Sequence, residues 1–203
     1  MIINKIKYIK REKIYIIYTD DVEFNVLEDT LVRYNLYKGK EIDIEDINNI
    51  ILENKRYEAK KLSIKYLSNM KSEKQVRDHL KNNNIEQDII DDTIFYLNEE
   101  KFLDDYEYAS LFSRDKLKLN KYGKNKIRLS LKSKGIDNNI IDEVLLDIPE
   151  DIEYENLLNA ARKKIKSLNN DEKSYEKLVR HLIYKGYNYD LIKKAISEIK
   201  DEY

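Results

Sequence analysis

Cysteine and tryptophan are absent, proline occurs once and glycine four times in the 203 residues. Without a thiol there is no disulfide, no thiolate metal site and no cysteine nucleophile. So little Gly and Pro argues against a β-sandwich or barrel, whose many tight turns draw on both. No apolar run approaches the ~20 residues that span a bilayer. The opening "MIINKIKYIKREK" carries charges every few residues and lacks the apolar core of a secretory signal. These absences predict a soluble, cytoplasmic protein with no membrane partner. Catalytic signatures are missing too: there is no GxGxxG, P-loop, GxSxG or HExxH. The expectation is a protein that is not an enzyme and uses no cofactor or metal. Adjacent acids such as Asp91/Asp92 and Asp104/Asp105 face apart on a helix, and the second pair suits an N-cap. His79 and His181 read as helix-surface residues beside a core leucine.

Charge is plentiful, at 38% of residues, yet it sums to −1. The balance hides segregation. Glu86 to Glu107 holds nine acids and one lysine, while Arg114 to Lys134 holds nine bases and one Asp. A partner senses such blocks rather than the total, because screening limits the field to about 8–10 Å in physiological salt.

The first forty residues differ from the rest. "KIYIIY" is β-branched and aromatic, and "VEFNV" places Val22, Phe24 and Val26 at period 2. With turns at Arg11–Lys13 and Thr19–Asp21, this predicts two or three short antiparallel strands, then a short helix near Glu28–Asn35. From Ile44 onward the pattern is helical. Segments 80–94 (LKNNNIEQDIIDDTI), 131–145 (LKSKGIDNNIIDEVL) and 182–196 (LIYKGYNYDLIKKAI) align without a gap at an offset of 51 residues. Leu80, Leu131 and Leu182 coincide, as do Ile89, Ile140 and Leu191, then Ile94, Leu145 and Ile196; Val76, Ile127 and Leu178 precede the leucine by four. Each copy reads as three helices. Ser72-x-x-Gln75 is a capping box, with Ser174 in the matching place of the third copy, and Asp104-x-x-Glu107 caps the helix that opens the second. Gly135, Gly186 and Asn84 suit a left-handed residue closing each middle helix. The fold class is therefore mainly α: a tandem array of three-helix repeats with a small N-terminal antiparallel β module. Its expected parts are residues 1–43, then repeats 44–103, 104–148 and 149–203.

The middle copy carries the candidate contact residues: Arg114, Lys116, Lys118, Lys121, Tyr122, Lys124, Lys126, Arg128, Lys132 and Lys134. Helical spacing sets Lys124, Arg128 and Lys132 in one stripe beside core Ile127 and Leu131. The same stripe is Glu73, Arg77 and Lys81 in the first copy and Tyr175, Val179 and Ile183 in the third. One reading is a solvated, lysine-rich face; the other is a contact surface peculiar to the middle repeat. The apolar third stripe predicts a cover, supplied by the chain or by a partner.

The ordered motifs resemble the bacterial RecX regulatory proteins. Ser72-Glu73, Leu103-Asp104-Asp105, Tyr108-Ala109, Gly123 and Lys134-Gly135-Ile136 match that family's pattern in order, and "YNLYKGKEID" resembles the additional N-terminal module of low-GC Gram-positive members. Lys71, Asn84 and the divergent third copy depart from it. The resemblance implies tandem three-helix repeats and a partner in the RecA filament on DNA; the expected state of the chain is a monomer. It also implies inhibition of RecA ATP hydrolysis, strand exchange and coprotease action, within recombination, repair and the SOS response. A separate reading of the basic block is direct binding of single- or double-stranded DNA without RecA.

Overall fold

The computed structural model describes residues 1–168 and 173–201, so the third expected repeat runs partly outside them. The chain divides into two compact units: residues 1–70 with 76–103, and residues 71–75 with 104–203.

In the first unit, β1 (Lys5–Ile9), β2 (Ile14–Tyr18) and β3 (Glu23–Leu27) form an antiparallel sheet in that order. Period-2 burial appears as expected at Phe24 and Val26, which face fully buried Ile3 and Ile17. The helix α1 (Glu28–Arg33) is shorter than the sequence suggests, because Asn35 takes a positive φ of 46° and turns the chain. Asp43 then caps the long α2 (Ile44–Tyr66) by accepting from Asp46 N at 2.7 Å. One buried residue of α2 ties these parts together: Asn54 Oδ1 accepts from Leu27 N (2.7 Å) and from Thr30 Oγ1 (2.9 Å). Each donor would cost about 1–3 kcal/mol if buried unpaired. The helix also serves two cores. Ile47 and Ile50 pack with the sheet, whereas Ala59, Leu62 and Tyr66 pack with α3 (Glu73–Asn82) and α4 (Gln87–Glu99).

The second unit holds two sets of three helices. The first is α5 (Asp105–Asn120), α6 (Lys124–Ser133) and α7 (Asn138–Leu146); the other is α8 (Glu150–Ile165), α9 (Ser174–Tyr184) and α10 (Tyr189–Asp201). The aligned leucines behave alike: Leu80, Leu131 and Leu182 are all fully buried, each in its own cluster. Asp104 accepts from Glu107 N at 2.8 Å, and Ser72 and Gln75 exchange bonds as a capping box. One expectation shifts. Ser174 lies within the first turn of α9, with Lys173 in the capping position, so it is not the counterpart of Ser72. The deepest column of the last helices is Ile90, Ile141 and Ile192, one residue beyond the aligned Ile89, Ile140 and Leu191, of which the last two are only half-buried.

Both joints of this unit use the same parts. Ser72 Oγ donates to Lys134 O at 2.7 Å, and Gly123, fifty-one residues on, donates its N–H to Lys185 O at 2.9 Å. In each case the turn that closes a middle helix docks on the start of the preceding one. Gly135 (φ +81°) and Gly186 (φ +93°) supply the left-handed residue, and a Cβ on Gly186 would lie 2.3 Å from Lys126 N. Asn125 N also reaches Gly186 O at 3.2 Å, and Tyr187 Oη donates to Lys121 O at 2.9 Å.

Candidate interaction surface

The ten sequence-predicted contact residues fall into separate groups rather than one face. At 100° per residue, α6 places Lys124, Arg128 and Lys132 on one flank of buried Ile127 and Leu131, and Lys126 on the other. The first flank is partly committed within the protein. Lys124 donates from its backbone N to Glu153 Oε1 and from Nζ to Ile148 O, both at 2.9 Å. Arg128 is ion-paired with Asp142, repeating the Arg77–Asp91 pair of the first copy. Lys132 alone of that stripe is exposed, the other two being half-buried.

On the other flank, Lys126 Nζ lies 3.8 Å from the centre of the Tyr184 ring and 5.7 Å from that of Tyr122. Tyr122 is half-buried, with Lys185 Nζ at 5.5 Å, so its ring belongs to the joint between the two helical sets. Lys116 and Lys134 converge on Phe112, at 5.1 and 5.4 Å from its centroid. Arg114 and Lys118 are exposed and rim a hollow of about 340 Å³ floored by Leu117, Val144 and Ile148. Lys121 ends α5 in the left-handed conformation (φ 51°).

The acidic block is also partly satisfied. On α4 and just before it, Glu86 pairs with Lys55 (2.6 Å), Asp91 with Arg77 and Asp92 with Arg56 (3.2 Å). The hydrogen bond from Arg77, helped by Gln87, holds the Asp91 carboxyl below the usual carboxylate range. These carboxylates serve ion pairs; among the described residues no cluster of three His, Asp or Glu side chains could hold a metal. The third-copy stripe is not covered by the described chain: Tyr175 is 47% and Ile183 51% exposed, with Val179 half-buried.

Neither histidine is an indifferent surface residue. His79 stacks on Tyr66 with centroids 4.0 Å apart. His181 is half-buried and lines, with Lys121, Lys163, Lys164 and Lys185, a cleft of about 690 Å³ where α5, α8 and α9 meet. Repeat alignment could not find this cleft, because its cations come from three helix ends far apart in sequence. Among the described residues no helix is long and apolar enough to cross a membrane.

Comparison with known proteins agrees with this architecture. A family model for the second three-helix domain of RecX matches residues 104–145, and one for the third matches 151–196. The chain is 34% identical over 203 residues to the regulatory protein RecX of Clostridium botulinum (strain Alaska E43 / Type E3), covering 97% of this chain and 95% of that one. It is 32% identical over 209 residues to the regulatory protein RecX of Clostridioides difficile (strain 630), covering 100% and 98%. A crystal structure of regulatory protein RecX superposes with a TM-score of 0.73 at 26% identity, over 95% of this chain and 98% of that one. The RecX crystal structure from Lactobacillus salivarius gives 0.67 at 26% identity, over 73% and 98%.

Proposed function

The chain belongs to the RecX family of regulatory proteins, and from that premise we propose that it is a non-enzymatic, cytoplasmic regulator of the RecA recombinase. In this reading it lies as a monomer along the RecA filament on DNA and inhibits ATP hydrolysis, strand exchange and coprotease action. The observation that carries the proposal is similarity to named regulatory relatives along essentially the whole length, rather than over one repeat. The working division remains an N-terminal module of 1–43 and three repeats of 44–103, 104–148 and 149–203.

The side chains best placed to meet phosphate or an acidic RecA surface are the exposed cations Arg114, Lys118 and Lys132, which have no carboxylate partner among the described residues. The committed neighbours Lys124 and Arg128 hold the scaffold beneath them. Rim charges act mainly through association rate and orientation. The test is RecA ATPase on single-stranded DNA with increasing amounts of this protein. Dose-dependent inhibition is expected, and its absence removes the proposal. Replacing Arg114, Lys118 and Lys132 together by Glu is expected to raise the inhibitory concentration at least several-fold; unchanged inhibition removes this surface from the assignment.

A further inference from the structure

The ends of three helices converge on the 690 Å³ cleft of the second unit: α5 at Asn120, the last turn of α8, and α9 at Lys185. Carbonyl ends attract cations, so part of the positive charge there simply offsets the helix dipoles. The magnitudes leave a remainder. Each helix C-terminus is worth about −0.5 charge, or about −1.5 for three, against the full positive charges of Lys121, Lys163, Lys164 and Lys185. Roughly two and a half unit charges stay uncompensated, and no carboxylate lines the cleft among the described residues. Lys185 does bond, but to a neutral acceptor, Asn120 O at 2.8 Å.

The titration directions agree with an unbalanced cluster. Burial and then the neighbouring Lys163 lower the Lys185 ammonium from its ordinary value. Burial, then Lys185 and Lys164, lower the His181 imidazole. An entering anion would relieve both. Beside the cleft, an adjoining hollow shares Lys164 and His181 and adds Arg180 and Tyr184. The Tyr184 ring is 70% exposed, with Lys126 Nζ 3.8 Å from its centre.

We propose that this cleft binds the phosphate of a nucleotide unit, with the Tyr184 ring at its edge stacking on the base. A cluster of several cations around one concavity suits an oxyanion that accepts from many donors at once. The exposed ring beside it offers the planar face that bases use and an acidic peptide does not need. The unit can be a free nucleotide or one residue of a single strand. The site differs from the exposed cations of α5 and α6 assigned above, and it requires no RecA.

The experiment is direct binding by the full chain without RecA, using labelled oligothymidylate, unlabelled dTMP, pyrophosphate and polyglutamate at two salt concentrations. The expected result is oligothymidylate binding that weakens with salt, by about 0.7 in log K per tenfold salt for each phosphate neutralised. The double variant Lys163→Gln/Lys164→Gln should lower affinity about tenfold and flatten the salt slope by one to two phosphates' worth. Tyr184→Ala should weaken the oligonucleotide and dTMP while leaving pyrophosphate unchanged, and Lys7→Gln, at an exposed lysine of β1, should leave all three unchanged. If dTMP binds as tightly as the strand, the ligand is a free nucleotide; if far more weakly, it is a strand. No binding at low salt, equal loss in Lys7→Gln, or polyglutamate binding as tight as oligothymidylate each overturns the proposal. Because RecA is absent from every arm, failure here leaves the ATPase result standing, and the reverse also holds.

Discussion

Substituting Gly186 by Ala tests the joint between the two helical sets of the second unit. Two costs add. An alanine at φ +93° is strained by about 1–2 kcal/mol relative to glycine. Its Cβ would also lie 2.3 Å from Lys126 N and 2.8 Å from Lys126 Cα, atoms of a helix start that cannot rotate away. Overpacking of this kind costs about 1–3 kcal/mol, so the sum is about 2–5 kcal/mol. That is a large share of the 5–15 kcal/mol typical of a folded domain. Two other glycines calibrate the terms. Gly39→Ala has the same backbone problem (φ +94°) with nothing within 4 Å, and should cost the strain alone. Gly135→Ala meets only the Lys74 side chain, whose outer carbons can swing but whose Cβ cannot, and should fall between. Urea unfolding followed by far-ultraviolet circular dichroism ranks the three. Because Gly39 lies in the other unit, amide exchange at Gly123 and Asn125 adds a local readout, since those N–H groups bond Lys185 O and Gly186 O. Gly186→Ala should accelerate exchange at both. A cost no larger than that of Gly39→Ala, with protection unchanged, would refute the argument.

Leu131→Ala should destabilise by about 2–5 kcal/mol, since the side chain is fully buried, whereas Leu129→Ala, 65% exposed, should stay within about 0.5 kcal/mol; chemical denaturation distinguishes them. A pH effect should arise at His181, which faces Lys163 and Lys164 of α8, Lys121 at the end of α5, and Lys185 and Tyr184 of its own turn. Its pKa is lowered on folding, so the unfolded chain binds the proton more readily, and stability should fall as pH drops from the ordinary value of about 6.5 toward the lowered one. Thermal melting of His181→Gln should lose that acid-side slope; an unchanged slope would assign it to other groups.

The repeat was legible because burial recurs at fixed spacing: a leucine that must vanish from solvent in every copy leaves the same mark each time, as Leu80, Leu131 and Leu182 do. Caps were legible where a side chain bonds a backbone three residues on, as at Asp104. Ser174 misled because the same letter at the same offset sits one residue deeper in its helix. Depth within the last helices was not legible, because two adjacent apolar residues fit the pattern at Ile89/Ile90, Ile140/Ile141 and Leu191/Ile192, and only packing decides which lies deeper. Asn54 was not legible at all, since its partners Leu27 and Thr30 lie over twenty residues away. The long α2 likewise shows one continuous helical pattern, with nothing in it to mark where one core stops and the next begins.

Charge was the least legible quantity, for a physical reason. A count of lysines along the chain cannot separate a cation whose field is offset from one whose field is not. Arg128 looks like the centre of a basic stripe, yet Asp142 neutralises it, and the first copy repeats the arrangement with Arg77 and Asp91. The third copy drops the arginine for Val179, and Lys193 stands at the matching place of the acid, so the pair is lost; α9 keeps two bases against one acid, while α10 is balanced at three each. Around His181, Lys121, Lys163, Lys164 and Lys185 meet the ends of α5, α8 and α9, whose partial charges cover less than half of theirs. The segment with the most lysines per residue is thus partly a scaffold. A further uncompensated field lies where three helix ends meet, in the repeat whose middle helix lacks the basic stripe.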